Sequence, residues 1–500
     1  RGDLDVRPFS LTPEVSISGL SIGNPVRTRA RGAFAEVAQA EASVRLLPLF
    51  IGRVEFVRLD LAGADLALYR DAEGVSNWSG DSGGRAFNMP AIRSFALRDG
   101  RLRYQDDKRR VRLNATFETE ESSAPGARSS FTLAGEGALN DRPFTLAFSG
   151  APLINVRRDQ PYAFEADIRA GATHVEAAGA IARPFDFNRW NADINAAGAD
   201  LADLYELIGL ALPNTPPYRV RGRLERQGAR FGMPQLAGRV GDSDIAGNWM
   251  ATRQRSGRMM FAGDFRSRDL DFDDLAAVLG APPSTDRGET ASAEQHQTAA
   301  ALEAQGRLLP DSTLDISRVR NMDARVSFHA TRVRSETLPL SGLSFDLALD
   351  EGLLRIDPMV LQLTRGRVAG AASINAREET PQVELDVRLA DARVENIITL
   401  ASGQPITGPL AGRARLIGRG ASVREAAANA NGEVTLVIPS GEIREAFAEL
   451  TGINIARGLG LLLRDDEAMT PIRCGVASFR VRNGQAAAQS IVIDTENMLI

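Results

Sequence analysis

Phe95-Ala96-Leu97-Arg98-Asp99-Gly100-Arg101-Leu102-Arg103-Tyr104 decides how this chain is read. Apolar and charged side chains alternate on both sides of Asp99-Gly100, the pattern of a half-buried strand and not of a helix. Asp-Gly favours the positive-φ geometry of a two-residue loop, so a hairpin is expected. Leu97 would then pair with Leu102 and Phe95 with Tyr104, leaving Ala96, Arg98, Arg101 and Arg103 on the opposite face. The same logic predicts a hairpin at Asn483-Gly484, with Phe479 and Val481 against Ala486 and Ala488. A loop over Asp350–Leu353 would set Leu347 opposite Ile356 and Leu349 opposite Leu354. Such short period-two pieces, punctuated by glycine-containing turns, recur along the chain and predict a mainly β, antiparallel protein.

A weak repeat adds short helices to the strands. Residues 193–209 align without gaps on 264–280 and on 386–402, each reading as a strand followed by a helical turn. Leu201, Leu204 and Ile208 fall on one helix face, as do Phe272, Leu275 and Leu279, and then Val394, Ile397 and Ala401. Asp200 and Asp271 stand where N-caps belong. A longer helix is predicted over Ile443–Leu463, broken at its glycines. Residues 282–306 contain almost no large apolar side chain, and 282–309 read as a mobile linker. The expected organisation is therefore a β region over 1–190, repeated β-plus-helix units over 191–281, the linker, and a second β region over 310–500.

Composition excludes several functions. With 43% hydrophobic and 25% charged residues the chain can bury a core. A formal charge of −5 has the wrong sign for a nucleic-acid binder. The single cysteine, Cys474, supplies neither an internal disulfide nor a thiolate metal cage and is read as a packed thiol. His174, His296 and His329 are far apart in sequence, so His174 and His329 are read as solvated or hydrogen-bonded sheet residues and His296 as part of the linker. Asp271-Phe272-Asp273-Asp274 lacks the spacing of a calcium loop. No nucleophile elbow, phosphate loop or dinucleotide fingerprint is present. The expectation is a protein that is not an enzyme and needs no cofactor. No run of apolar residues is long enough to span a membrane; Arg1, and the alternation still running near Ile500, read as the ends of a fragment.

Against this background a resemblance stands out. Asn24-Pro25 is followed by Val44, Leu46, Pro48-Leu49-Phe50, Gly52, Val54, Phe56, Leu59, Leu61, Gly63, Leu66 and Leu68, and then by Arg70-Asp71, Gly74 and Asn77-Trp78. Leu450 to Arg457, and Phe479 through Asn483-Gly484 to Asp494, supply a C-terminal part. This succession resembles the AsmA family of bacterial envelope proteins, with Phe50 where the family more often has Leu. The resemblance implies a periplasmic body anchored to the inner membrane by a leading helix that this sequence does not include. It also implies a long curved antiparallel sheet with an open apolar groove and a few short α-helices.

The residues suit that picture, because a solvent-open apolar face is costly unless something greasy occupies it. Phospholipid is the expected partner. Phe95, Leu97, Leu102, Tyr104, Leu347, Leu349, Leu354, Ile356, Phe479 and Val481 are the candidate groove residues. Asn24, Pro25, Pro48, Gly52, Gly74, Asn77, Trp78, Asn483 and Gly484 are the positions that carry the resemblance. The competing expectation is a closed, non-enzymatic scaffold that assists assembly of outer-membrane components through an exposed strand edge.

Overall fold

The structure is a computed structural model that describes residues 3–7, 12–25, 28, 30, 32–50, 54–78, 91–122, 130–156, 160–183, 188–204, 212, 215–274, 297, 320, 322–335, 339–396, 406–444, 468–496 and 499. Contacts divide the chain into a first unit, 1–198 with 203–209 and 220–231, and a second, 199–202 with 210–219 and 232–500. Residues 282–309, expected as the linker, lie outside the described residues apart from 297.

The strands of the first unit are β1 (Asp3–Arg7), β2 (Glu14–Gly23), β3 (Ala33–Val44), β4 (Glu55–Arg70), β5 (Ala91–Ile92), β6 (Ser94–Asp106), β7 (Val111–Ser122), β8 (Phe131–Leu139), β9 (Arg142–Gly150), β10 (Tyr162–Ala170), β11 (Thr173–Ile181) and β12 (Arg189–Gly198). Each pairs with its neighbour in antiparallel fashion, except that β4 runs parallel to β5 and β6. A single-turn helix, α1 (Leu46–Leu49), joins β3 to β4.

Asp99-Gly100 is not a turn. It lies inside β6, which runs unbroken between β4 and β7. Leu97 is opposite Thr119 while Gly100 is opposite Phe117, so β6 carries one extra residue at this point. Asp99 takes φ 53° to make the bulge. The positive-φ propensity of Asp-Gly is thus used to bulge a strand instead of reversing it. The extra residue also switches the alternation, which is why Phe95, Leu97, Leu102 and Tyr104 do share one face although no hairpin forms. Gly63 of β4, at φ 62°, lies beside Asp99, and Gly19 of β2, at φ 68°, lies in the same line, both opposite Ala38 of β3.

The second unit holds β15 (Ser243–Arg253), β16 (Met259–Asp271), β17 (Met322–Arg334), β18 (Leu340–Asp350), β19 (Leu353–Leu363), β20 (Arg367–Asn375), β21 (Gln382–Arg393), β22 (Ile406–Thr407), β23 (Pro409–Arg419), β24 (Asn431–Ile438), β25 (Gly441–Arg444), β26 (Met469–Arg482) and β27 (Gln485–Thr495). Strands β13 (Tyr218–Gln227) and β14 (Arg230–Val240) precede them in the chain. Only β16 and β17 pair in parallel; the other described pairs are antiparallel. Both remaining hairpins form in the expected register. Leu347 faces Ile356 and Leu349 faces Leu354 around Glu351-Gly352. Val481 faces Ala486 and Phe479 faces Ala488 around Asn483-Gly484, whose φ values of 47° and 72° are those of a type I′ loop.

The repeat's helical turns appear directly after β12, β16 and β21, at Leu201–Asp203, 272–274 and Val394–Asn396. Helix α2 (Val423–Ala428) was not anticipated; its cap Ser422 accepts from Glu425 N, and Glu425 accepts in return from Ala421 N. The long helix expected from Ile443 does not begin there, because Ile443 sits in β25 and is buried against Ile406 and Ile472. Its remainder lies outside the described residues. Cys474 is exposed, not packed. A bulge between Ile472 and Cys474 carries it outward while Ile472 and Gly475 stay buried.

Candidate functional site: an apolar face

The registers place apolar side chains on one face of each unit. In the first unit Phe117, Phe131, Phe148 and Phe164, on β7 to β10, form a ladder with centroid separations of 6.1, 6.2 and 5.8 Å. The floor beside them is made of small residues: Gly135 packs on Ala115, and Gly179 on Ala192, so closely that a Cβ would lie 2.5 to 2.6 Å from the alanine Cα. Val37, Ala40, Ala64 and Leu97 form a buried cluster at one flank, with Phe95 and Phe117 against it.

The second unit shows how such a face is bounded. Met259, Phe261, Met322, Ala324 and Leu349 are buried together at one end of β16 to β18. Leu270, Ala330, Val333, Leu340 and Leu343 are buried at the other end of the same strands. Between them Phe265, Val326, Phe328, Phe345 and Leu347 share the face but are only half-buried, as are Leu354 and Ile356 on β19. The Phe328 and Phe345 rings stack at 5.4 Å. On β26, Phe479 is half-buried opposite Val434, and Val481 is buried opposite Gly432. Within each unit, the substantial contacts among described elements join neighbouring strands, or a strand to a short helical connector. Among the described residues no second layer covers the middle of the face, whereas an ordinary domain buries such a face beneath a second layer.

Buried carboxylates hold the connectors. Glu121, 1% exposed, accepts from the backbone N–H groups of Leu153 and Ile154 at 2.8 Å each, fixing the 3-10 turn of Leu153–Asn155. Burial, and then the Glu121 charge, push the nearby Tyr162 hydroxyl up to about 12, so it stays a donor, to Ala151 O at 2.8 Å. In the second unit Asp274 accepts from Ser243 Oγ and Asp242 N, and burial pushes its carboxyl up to about 6.

Of the nine residues that carried the resemblance, four, Asn24, Gly74, Asn77 and Trp78, come together. Asn77, buried, accepts from Tyr69 N and donates to Ala67 O and to Asn24 Oδ1. Gly74, at φ 97°, closes a turn whose N–H groups are held by Asp71. Trp78 lies under the Arg70 guanidinium at 4.9 Å and beside Tyr104 at 5.8 Å. Arg70 pairs with Asp106, which is fully buried and also takes the Tyr104 hydroxyl. Tyr104 thus belongs to this clasp as much as to the apolar face. Pro25 is exposed, Pro48 is half-buried in α1, and Gly52 lies outside the described residues. Asn483-Gly484 turns the last hairpin, far along the chain from the clasp.

The Phe117–Phe164 ladder escaped the sequence reading. A signal existed, one phenylalanine per strand with alternating neighbours, but pairing across strands whose connectors vary in length is not visible in a single sequence.

A family model for the AsmA family matches residues 1–84 and 96–491. The chain is similar to the AsmA family protein YhjG of Escherichia coli (strain K12), 26% identical over 544 residues, covering 100% of this chain and 79% of that protein. No solved structure matches it.

Proposed function

Because this chain belongs to the AsmA family of envelope-associated proteins, we propose that its uncovered apolar face shelters phospholipid acyl chains during transport between membranes, in support of outer-membrane biogenesis. The observation that carries this reading is the half-exposed strip of Phe265, Val326, Phe328, Phe345 and Leu347 held between two buried clusters. A face sealed at both ends and open in the middle is the arrangement a sliding hydrocarbon chain needs. Moving a 16-carbon chain into water costs about 0.8 kcal/mol per CH₂, or about 12 kcal/mol, and an apolar strip removes most of that cost. The strip offers no polar groups for a chain to stick to, so binding stays shallow and movement along it stays easy.

Non-enzymatic action fits this chemistry, since shielding needs neither nucleophile nor cofactor. A periplasmic location, with anchorage to the inner membrane, is the setting in which such a face is useful. A photo-crosslinking residue placed at Phe328 or Phe148 is expected to yield phospholipid adducts, and one at Arg325 or Ala147, on the opposite face, is not. Adducts confined to the Arg325 side, or none at Phe328 alongside crosslinks to outer-membrane protein precursors, would replace the lipid reading with the scaffold.

A further inference from the structure

The polar face of the first unit carries a site that lipid shielding does not use. An open depression of about 990 Å³ lies over β7 to β12, with Ala134, Ala147 and Ala178 in its floor. Its lining is acidic, including Asp99, Glu118, Glu165 and Asp193, with Arg101 as the one cation among the described lining residues. Inside it Asp167 of β10 stands directly opposite Glu176 of β11. Like charges so placed oppose sheet formation, and nothing in the strand pairing requires them. His174, two residues before Glu176 on the same face, brings Nε2 to 2.8 Å from Asp167 Oδ2. One ligand atom from each of these three side chains lies within 4.8 Å of the others.

We propose that Asp167, His174 and Glu176 bind a divalent transition-metal ion of the Zn²⁺ class. The donor set of one imidazole and two carboxylates suits such ions better than Mg²⁺ or Ca²⁺, which take oxygen alone. Two adjacent strands hold the donors, and a rigid ladder positions ligands better than a loop does. Arg169 Nε donates to Asp167 Oδ1 at 3.2 Å, which orients the carboxylate and leaves Oδ2 toward His174. The register sets Asn195 opposite Glu176, where its side chain or a water can complete the shell. The alanine floor leaves room for an ion that retains water. A bound cation would relieve the Asp167–Glu176 repulsion and so tie β10 to β11 behind the Phe164 rung of the apolar ladder.

The chain has three histidines, so the test can be read residue by residue. The full chain, with any affinity tag removed and its imidazoles labelled with ¹⁵N, is titrated with Zn²⁺ and followed by long-range ¹H–¹⁵N correlation, with calorimetry in parallel. The expected result is one saturating equivalent that shifts the His174 resonances and leaves His329 unmoved. His174→Ala should weaken binding at least tenfold, and Glu176→Gln, an isosteric change at an exposed position, should weaken it by a comparable factor. His329→Ala should change nothing. Absence of saturable Zn²⁺ binding, unchanged affinity in both His174→Ala and Glu176→Gln, or equal shifts at His174 and His329 would each overturn the site and leave the cluster as a surface ion pair.

Discussion

Asn77 Nδ2 donates to Asn24 Oδ1 at 2.8 Å, joining the segment after β4 to the segment after β2. Asn77 also holds Tyr69 N and Ala67 O, so one amide satisfies three groups around a buried corner. The Asn-Pro and Asn-Trp pairs noticed in the sequence therefore belong to one structural clasp.

Asn77→Ala should destabilise the first unit by about 1–3 kcal/mol, because it takes the side-chain partner from the part-buried Tyr69 N–H and Ala67 carbonyl. Asn77→Asp should do at least as much harm, since a carboxylate oxygen would replace the donor that faces Ala67 O and Asn24 Oδ1. Asn24→Ala, which removes one bond of the set, should cost less. Thermal unfolding followed through Trp78 fluorescence, in a background where Trp190 and Trp249 are replaced by Phe, checks the order.

The bulge at Asp99 supplies a sharper test of what fixes the apolar face. Asp99→Val forces a β-branched side chain into φ 53° and should cost about 1–3 kcal/mol. Deletion of Asp99 should be far worse, because it returns β6 to strict alternation and sends Leu102 and Tyr104 to the charged side. Gly63→Ala, at φ 62° and with its new Cβ 3.0 Å from that of Ala38, should resemble Asp99→Val. Urea unfolding midpoints of the three variants distinguish strain from loss of register.

How legible this was in the sequence depends on the range of the interaction. Alternation is set by nearest neighbours, so the mainly β class, the faces, and the hairpins at Glu351-Gly352 and Asn483-Gly484 could be read directly. Asp99-Gly100 was misread because its local preference for positive φ serves a turn and a bulge equally. The outcome depends on β4 and β7 lying on either side of it, which no ten-residue window contains. Cys474 was misplaced for a related reason, since an unseen bulge reversed its side of the strand. The aromatic ladder, the buried Glu121 and the Asp167–Glu176 opposition all arise between strands, where only the register can reveal them.

Charge placed on the uncovered face should separate folding from lipid handling. Phe328→Asp introduces a carboxylate at a half-buried position with solvent within reach, so the second unit should still fold, with a loss of about 1–3 kcal/mol. Ionised Asp has no favourable place beside an acyl chain, so co-purified phospholipid should fall severalfold. Ala348→Asp, an exposed position on the charged face between Arg325 and Arg355, should leave the lipid unchanged. Native mass spectrometry of the two variants, with melting temperatures alongside, reads both effects.

Asp274 should make the second unit's stability fall between pH 4 and pH 6. Its folded-state carboxyl is pushed up to about 6, first by burial and then by the nearby Asp271 charge, against an ordinary aspartate value of 3.8. Between these values the folded state holds the proton more tightly than the unfolded chain, so stability contributed by the neutral form is lost as pH rises, and the loss is complete above about 6. At about 1.4 kcal/mol per unit, ionisation costs on the order of 2–3 kcal/mol at neutral pH. Asn in this place keeps an oxygen to accept from Ser243 Oγ and Asp242 N and carries no charge. Asp274→Asn should therefore raise the unfolding midpoint at pH 8 and have little effect at pH 4. A gain that is the same at both pH values would mean that burial of this carboxyl does not govern the turn joining β14 to β15.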